Sequence, residues 1–109
     1  MMRQAQVYYK NELAGIIRET DEGFLFQYEA EYLASVSAKP VSLTLPLQQK
    51  AFTSKVLFSF FDGLIPEGWL LNIAVTNWKI KPNDRFGLLM TLCKDCIGCV
   101  SVTSKELES

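Results

Sequence analysis

The first third of the chain alternates hydrophobic and polar residues in the way that β-strands do. Residues 6–9 and 13–17 flank a polar turn at residues 10–12, and this arrangement predicts two strands joined as a hairpin. Residues 24–28 carry an aromatic side chain at every second position, which predicts a third strand with one aromatic face. We therefore expect the fold to begin with a three-stranded meander.

The next stretch predicts a short helix and then an edge strand. Residues 29–35 have a helical pattern, whereas residues 41–47 alternate apolar and polar side chains with a period of two. Pro46 lacks an amide donor, so the strand over 41–47 is expected at the edge or end of a sheet.

The sequence pattern of the second half of the chain predicts mainly helices. Thr53 and Ser54 form a good N-cap pair, which predicts a helix from there to Pro66 and Gly68, residues that interrupt helices. A second helix is predicted over 69–79. Asn83 or Asp84 is then expected to cap a third helix, whose apolar residues recur with the period of an α-helix.

Alternation resumes at residues 100–103, which predicts a closing strand, and residues 104–109 are expected to form a disordered tail. Strands first, helices later and a final strand define the α+β class. We expect one small domain over residues 1–109, with a mostly antiparallel sheet and helices packed on one side.

Composition and charge narrow the class of protein. The chain has 109 residues, of which 49% are hydrophobic and 21% charged, and a chain of this size buries roughly 65% of its unfolded surface without needing crosslinks. Eleven basic and twelve acidic residues give a net charge of −1 without a basic run, so direct binding of nucleic acid is not expected. No secretion signal opens the chain, and polar residues interrupt the most apolar stretch at 56–75. We expect a cytoplasmic protein without a membrane span.

Several kinds of catalytic chemistry lack their residues in this sequence. It contains no histidine, which removes the commonest general base and metal ligand. No glycine-rich phosphate loop precedes a helix, and no kinase motif is present. The sequence therefore predicts a protein that is not an enzyme and needs no cofactor.

Cys93, Cys96 and Cys99 form two consecutive C-x-x-C spacings, which are typical of zinc or iron–sulfur sites. The fourth ligand that such a site needs does not follow Cys99. Cys93 completes an apolar helical stripe and Cys99 begins an alternating strand, so we interpret them as small buried residues. A small metal or redox protein is the alternative.

Three stretches resemble the N-terminal domain of the HipA family of serine/threonine kinase toxins. They are Ser42-Leu43-Thr44-Leu45-Pro46-Leu47, then Phe60-Phe61-Asp62-Gly63-Leu64-Ile65-Pro66-Glu67-Gly68, and finally Arg85-Phe86-Gly87-Leu88-Leu89 continuing to Lys94-Asp95-Cys96-Ile97-Gly98-Cys99-Val100. The second stretch is the most specific. The third has cysteines where the family usually has small residues, which agrees with a packing role for them.

In HipA kinases several hundred residues of kinase follow this domain, so the resemblance implies a domain without the toxin machinery. A free-standing domain of this kind resembles HipS, the antitoxin of the tripartite HipB-HipS-HipT arrangement. The resemblance implies an antitoxin that binds and inhibits a HipA-like or HipT-like kinase. The alternative is a structural module that assembles the kinase with a HipB-like DNA-binding partner without inhibiting it.

Trp69 is the expected centre of the partner-binding surface. On a helix over 69–80, Trp78 falls within the apolar arc, whereas Trp69 lies almost opposite it with Ile73 as an apolar neighbour. An exposed tryptophan on a turn stiffened by proline is suited to anchor a partner. The alternative is that Trp69 folds back over Pro66 as a cap. The expected partner-binding residues are Trp69, Phe61, Asp62, Pro66, Glu67 and Ile73.

Overall fold

A computed structural model of the protein describes residues 3–65, 69–77, 79–81, 83–92 and 100–105. For residues 69–71, 74, 104 and 105 it describes the backbone alone. Five strands and four helices lie within these residues. In chain order they are β1 (Gln4–Tyr9), β2 (Glu12–Thr20), β3 (Gly23–Tyr28), α1 (Ala30–Ala34), β4 (Phe52–Ser54), α2 (Ser59–Asp62), α3 (Trp69–Asn77), α4 (Arg85–Leu92) and β5 (Val100–Lys105).

The strands form one antiparallel sheet in the order β4-β3-β2-β1-β5. Lys10 and Asn11 join β1 to β2 with φ angles of 50° and 70°, the left-handed conformation that a two-residue hairpin turn requires. Strand β5 pairs with the free edge of β1, so the last strand of the chain lies beside the first. The predicted α+β class, antiparallel sheet and opening meander are confirmed.

The hydrophobic core lies between one face of the sheet and helices α2 and α4. Val7, Ile17 and Phe26 are fully buried on this face. Phe61 of α2 lies with its ring centroid 5.4 Å from that of Phe26, and Phe86 of α4 meets Phe24 of β3 edge to face at 5.6 Å. These aromatic contacts fix both helices to the sheet.

The predicted edge strand over 41–47 is wrong. The chain instead turns back on itself, with an isolated bridge between Ser42 and Leu45 and a hydrogen bond of 3.0 Å from the Leu45 amide to the Ser42 carbonyl. Because the turn reverses the chain, Val41 and Leu45 both point into the core, while Leu43 at its tip is 97% exposed. The apolar residues at every second position are therefore the two buried ends and the exposed tip of a turn, not one face of a strand.

The predicted helix start at Thr53 and Ser54 is also wrong. These residues belong to β4, in which Phe52 pairs with Phe26 and Ser54 with Phe24. The Phe52 and Phe26 rings stack with centroids 6.3 Å apart, so packing against β3 decides the local conformation. Helix α2 begins only at Ser59 and has four residues.

The later elements follow the predictions more closely. Helix α3 begins at Trp69 as expected. Asp84 caps α4, since its Oδ1 accepts the Gly87 amide at 3.1 Å. Strand β5 extends to Lys105, where Ser104 and Lys105 pair with Ala5 and Gln4, so these two residues belong to the sheet and not to the expected tail. Residues 106–109 lie outside the described part of the chain.

Candidate functional site

Helix α2 carries two of the residues expected to bind a partner, Phe61 and Asp62. Four residues are too few for a helix to be stable alone, so tertiary contacts must hold it. Phe61 and Ile65 supply them, because both side chains are buried in the core. The turn continues past the helix, with the Leu64 amide donating to the Phe61 carbonyl at 3.0 Å.

Phe61 requires a correction to the expected binding set. Its side chain is 0% exposed and contacts Phe26, Phe58 and Phe60 at centroid distances of 5.4, 6.2 and 5.2 Å. In this conformation a partner cannot reach the Phe61 ring. Its part is to hold α2 in place against the core, with Asp62 beside it at the surface.

Asp62 is the member of the set that the structure leaves accessible on α2. Its Oδ1 accepts a hydrogen bond of 2.6 Å from Arg85 Nε, the first residue of α4. The Asp62 side chain is 43% exposed and that of Arg85 33%, so the pair contributes no more than about 1 kcal/mol to stability. Its main effect is to set α2 against α4 and to present a carboxylate and a guanidinium together at the surface.

The other expected residues lie at or before α3. Ile73 is half-buried, while Asn72 and Thr76 beside it are exposed. Trp69 is the first residue of α3, but its side chain, like the whole of Pro66 and Glu67, lies outside the described residues. Trp69 and Ile73 are four residues apart and therefore share one helical face.

Asp62 on α2 and Ile73 on α3, which were expected on one surface, are linked through α4. Helices α2 and α3 each contact α4, whereas among the described residues no hydrogen bond or ring contact joins Asp62 to Ile73. Helix α4 is therefore the common support of both.

A second polar cluster beside α4 was not predicted. Arg3 donates to both carboxylate oxygens of Glu19 at 2.8 Å and to both of Asp84 at 2.8 and 3.0 Å, and its guanidinium carbon lies 5.4 Å from the centroid of the Phe86 ring. Glu19 and Asp84 lie 16 and 81 residues from Arg3 along the chain. A local sequence pattern therefore cannot predict this cluster. In the sequence, the cluster is indicated only by Arg3, an arginine directly before the first strand.

The cluster is electrostatically satisfied. Hydrogen bonds from Arg3 lower the pKa of Glu19 and of Asp84 below their ordinary values, and the same bonds, first to Glu19 and then to Asp84, raise the pKa of Arg3. Carboxylates with lowered pKa values stay ionised near neutral pH and are poor proton donors. The cluster therefore joins α4 to the sheet, which is a structural task.

No group of three or more His, Cys, Asp or Glu side chains that could hold a metal occurs within the described residues. The cysteines that suggested such a site, Cys93, Cys96 and Cys99, fall outside them. None of the helices in the described part of the chain is long and apolar enough to cross a membrane.

The fold and its surface define a small α+β domain built on an antiparallel sheet. The chain belongs to the HipA N-terminal domain family, whose model matches residues 5–103. A solved structure described as the N-terminal domain of HipA toxin superposes with a TM-score of 0.75 at 31% identity, covering 97% of this chain and 95% of that one.

Two relatives align with nearly the whole of this chain but differ in the share of their own length that it covers. A Haemophilus influenzae protein that bears only the name "Uncharacterized protein" is 31% identical over 106 residues, which cover 97% of this chain and 96% of that protein. The "Putative kinase Y4mE" of Sinorhizobium fredii is 24% identical over 108 residues, which cover 98% of this chain but 26% of that protein.

Proposed function

We propose that this domain is an antitoxin of the HipS type, which binds a HipA-like or HipT-like serine/threonine kinase without covalent chemistry and holds it inactive. One observation carries the proposal: the region similar to this chain makes up 96% of the Haemophilus protein but 26% of a protein named as a putative kinase. Similar sequence thus occurs both as part of a longer chain and as nearly all of a much shorter one. A region that packs on the rest of such a longer chain can also bind it as a separate protein.

The proposed binding surface is made by residues of α2, of α3 and of the stretch that lies between them in the sequence. It comprises Asp62, Pro66, Glu67, Trp69 and Ile73, with Arg85 added because it pairs with Asp62. Phe61 is left out because it is buried. Trp69 is the proposed anchor, since tryptophan is enriched among the residues that dominate interface energies. It acts either by blocking the active-site cleft of the kinase or by holding an inactive kinase conformation from outside.

Co-expression with a HipT-like kinase tests the proposal. The parent chain should restore growth and suppress kinase autophosphorylation in vitro. Trp69→Ala should weaken inhibition about thirtyfold, because a central anchor contributes at least about 2 kcal/mol to binding. The matched control is Val56→Ala, which trims an exposed apolar residue between β4 and α2 and should inhibit as the parent does.

Two results would contradict the proposal. If the kinase stays fully toxic beside comparable amounts of the parent chain, the domain is not an antitoxin. If the chain then still forms a complex with the kinase and a HipB-like DNA-binding protein, it is an assembly module. If Trp69→Ala inhibits like the parent, the tryptophan is a cap and the anchor lies elsewhere.

A further inference from the structure

The loop over residues 35–47, here named the tyrosine-anchored loop, exposes an unusual amount of apolar surface. Large hydrophobic side chains that the structure shows exposed are Val36, Leu43, Leu47 and Val56. Three of these four belong to this loop, and Val36 and Leu43 are essentially fully exposed. Scattered exposed apolar residues are ordinary, but their concentration in one loop marks an interaction surface.

Two tyrosine hydroxyls hold the loop in a defined shape. The buried Tyr28 hydroxyl accepts the Val41 amide at 3.0 Å and donates to the Leu45 carbonyl. Tyr32 donates to the Lys39 carbonyl at 2.5 Å and accepts the Lys39 amide at 3.1 Å. The two tyrosine rings stack with centroids 6.0 Å apart. Because the loop is already ordered, binding through it loses little conformational entropy.

The charge of the loop restricts the kind of partner. Lys39 is its only charged residue, and the others are small, hydroxylic or apolar. Nucleic acids and anionic lipid surfaces are bound through clusters of basic residues, which this loop lacks. Depletion of charge with apolar side chains at the centre is typical of the core of a protein–protein interface.

The loop lies on the same side of the sheet as the proposed kinase-binding surface. Val41 and Leu45 belong to the core cluster that also contains Phe61 of α2. The rings follow one another from Phe61 to Phe26 to Tyr28, with centroids 5.4 and 4.9 Å apart. These buried rings connect α2 to the loop through the core, so a chain seated on α2 and α3 would lie on the same side of the sheet as the loop.

From these observations we propose that the tyrosine-anchored loop is a second docking surface for the kinase chain, and that Leu43 inserts into an apolar pocket of the kinase. This inference rests on the proposed function. The Sinorhizobium relative supports the choice of occupant, because the matched region is 26% of that protein and the remainder is available to cover such a loop.

The test measures the Kd of a catalytically inactive HipT-like kinase for the parent chain and for Leu43→Asp by isothermal titration calorimetry. Leu43→Asp should bind at least tenfold more weakly, equivalent to about 1.4 kcal/mol. Val56→Asp is the matched control, since it places the same charge at another exposed apolar position, and should bind as the parent does. Leu43→Ser provides a milder variant. Thermal melts of all four proteins should agree within about 2 °C, because neither side chain is buried.

Each other outcome overturns the inference in a recognisable way. If Leu43→Asp and Leu43→Ser bind as tightly as the parent, the loop does not touch the kinase, although the proposed function stands. If the parent itself fails to bind, the proposed function fails and this inference fails with it. If Leu43→Asp only converts a parent dimer into a monomer in light scattering and leaves kinase affinity unchanged, a second copy of the chain is the occupant.

Discussion

Arg3 links the end of β2 to the start of α4 through two carboxylates. Its guanidinium joins Glu19 at the end of β2 to Asp84 just before α4, and it lies over the ring of Phe86. A guanidinium presents its donors in a planar fork, so it can satisfy two carboxylates at once, which a lysine cannot do with the same geometry. The three side chains are each only partly exposed.

This cluster predicts how stability depends on pH. The pKa values of Glu19 and Asp84 are lower in the folded chain than in the unfolded chain, because Arg3 donates hydrogen bonds to both. Their contribution is therefore fully present above the unfolded-state pKa values, above about pH 5, and is lost as the pH falls through the lower folded-state pKa values. Urea unfolding between pH 3 and 7 should show this decline, and Arg3→Met should flatten it. An equally steep decline in Arg3→Met would mean that other carboxylates cause it.

At the scale of elements, the sequence pattern predicted a helix or strand correctly where the element's own periodicity agrees with its packing. The meander, α3, α4 and β5 were all predicted in type and approximate position. The pattern failed where tertiary contacts override local preference. Phe52 draws the Thr53–Ser54 pair into β4 by stacking on Phe26, and the Tyr28 hydroxyl holds Val41 and Leu45 in a turn although they alternate like a strand.

Helix α4 supplies a prediction at the same scale. A Cβ added to Gly87 would lie 2.3 Å from Asp84 Oδ2 and 3.1 Å from Arg3 Nη1, so Gly87→Ala must displace the capping carboxylate and its bonds to Arg3. Alanine gains about 1 kcal/mol of helix propensity, whereas a lost cap costs about 1 kcal/mol and the broken cluster adds to it. The first two effects cancel, and the broken Arg3–Asp84 pair is partly exposed, so we expect a net loss of about 0.5–1 kcal/mol in the free energy of unfolding, measured by urea titration.

Gly63→Ala is the control for that measurement. Gly63 has an ordinary helical φ of −69°, and the nearest atom to an added Cβ is the Ser59 carbonyl oxygen at 3.3 Å. Its stability should change by no more than about 0.5 kcal/mol. If Gly87→Ala is as stable as Gly63→Ala, the Asp84 carboxylate can move without cost and does not fix α4.

At the scale of the whole molecule, a single core supports both proposed binding surfaces. The sequence pattern placed Asp62 and its neighbour Phe61 together in the expected binding set, because it does not show which of two adjacent helical residues is buried. The structure separates them: Phe61 is buried against Phe26, and Asp62 meets Arg85 from 23 residues further along. Which of the two is accessible is thus decided by how α2 packs on the sheet.

That distinction can be measured with Phe61→Ala. Removing this fully buried ring should cost about 3–5 kcal/mol of folding free energy, whereas Phe60→Ala, at a half-buried position, should cost clearly less. Because the Phe61 ring holds α2, binding is better tested with Phe61→Leu, which keeps an apolar side chain in the core and should lose less of the folding free energy. The Kd of Phe61→Leu for the inactive kinase, corrected for the folded fraction from urea unfolding, should equal that of the parent. A well-folded Phe61→Leu that binds more than about tenfold more weakly would show that the Phe61 ring contacts the kinase.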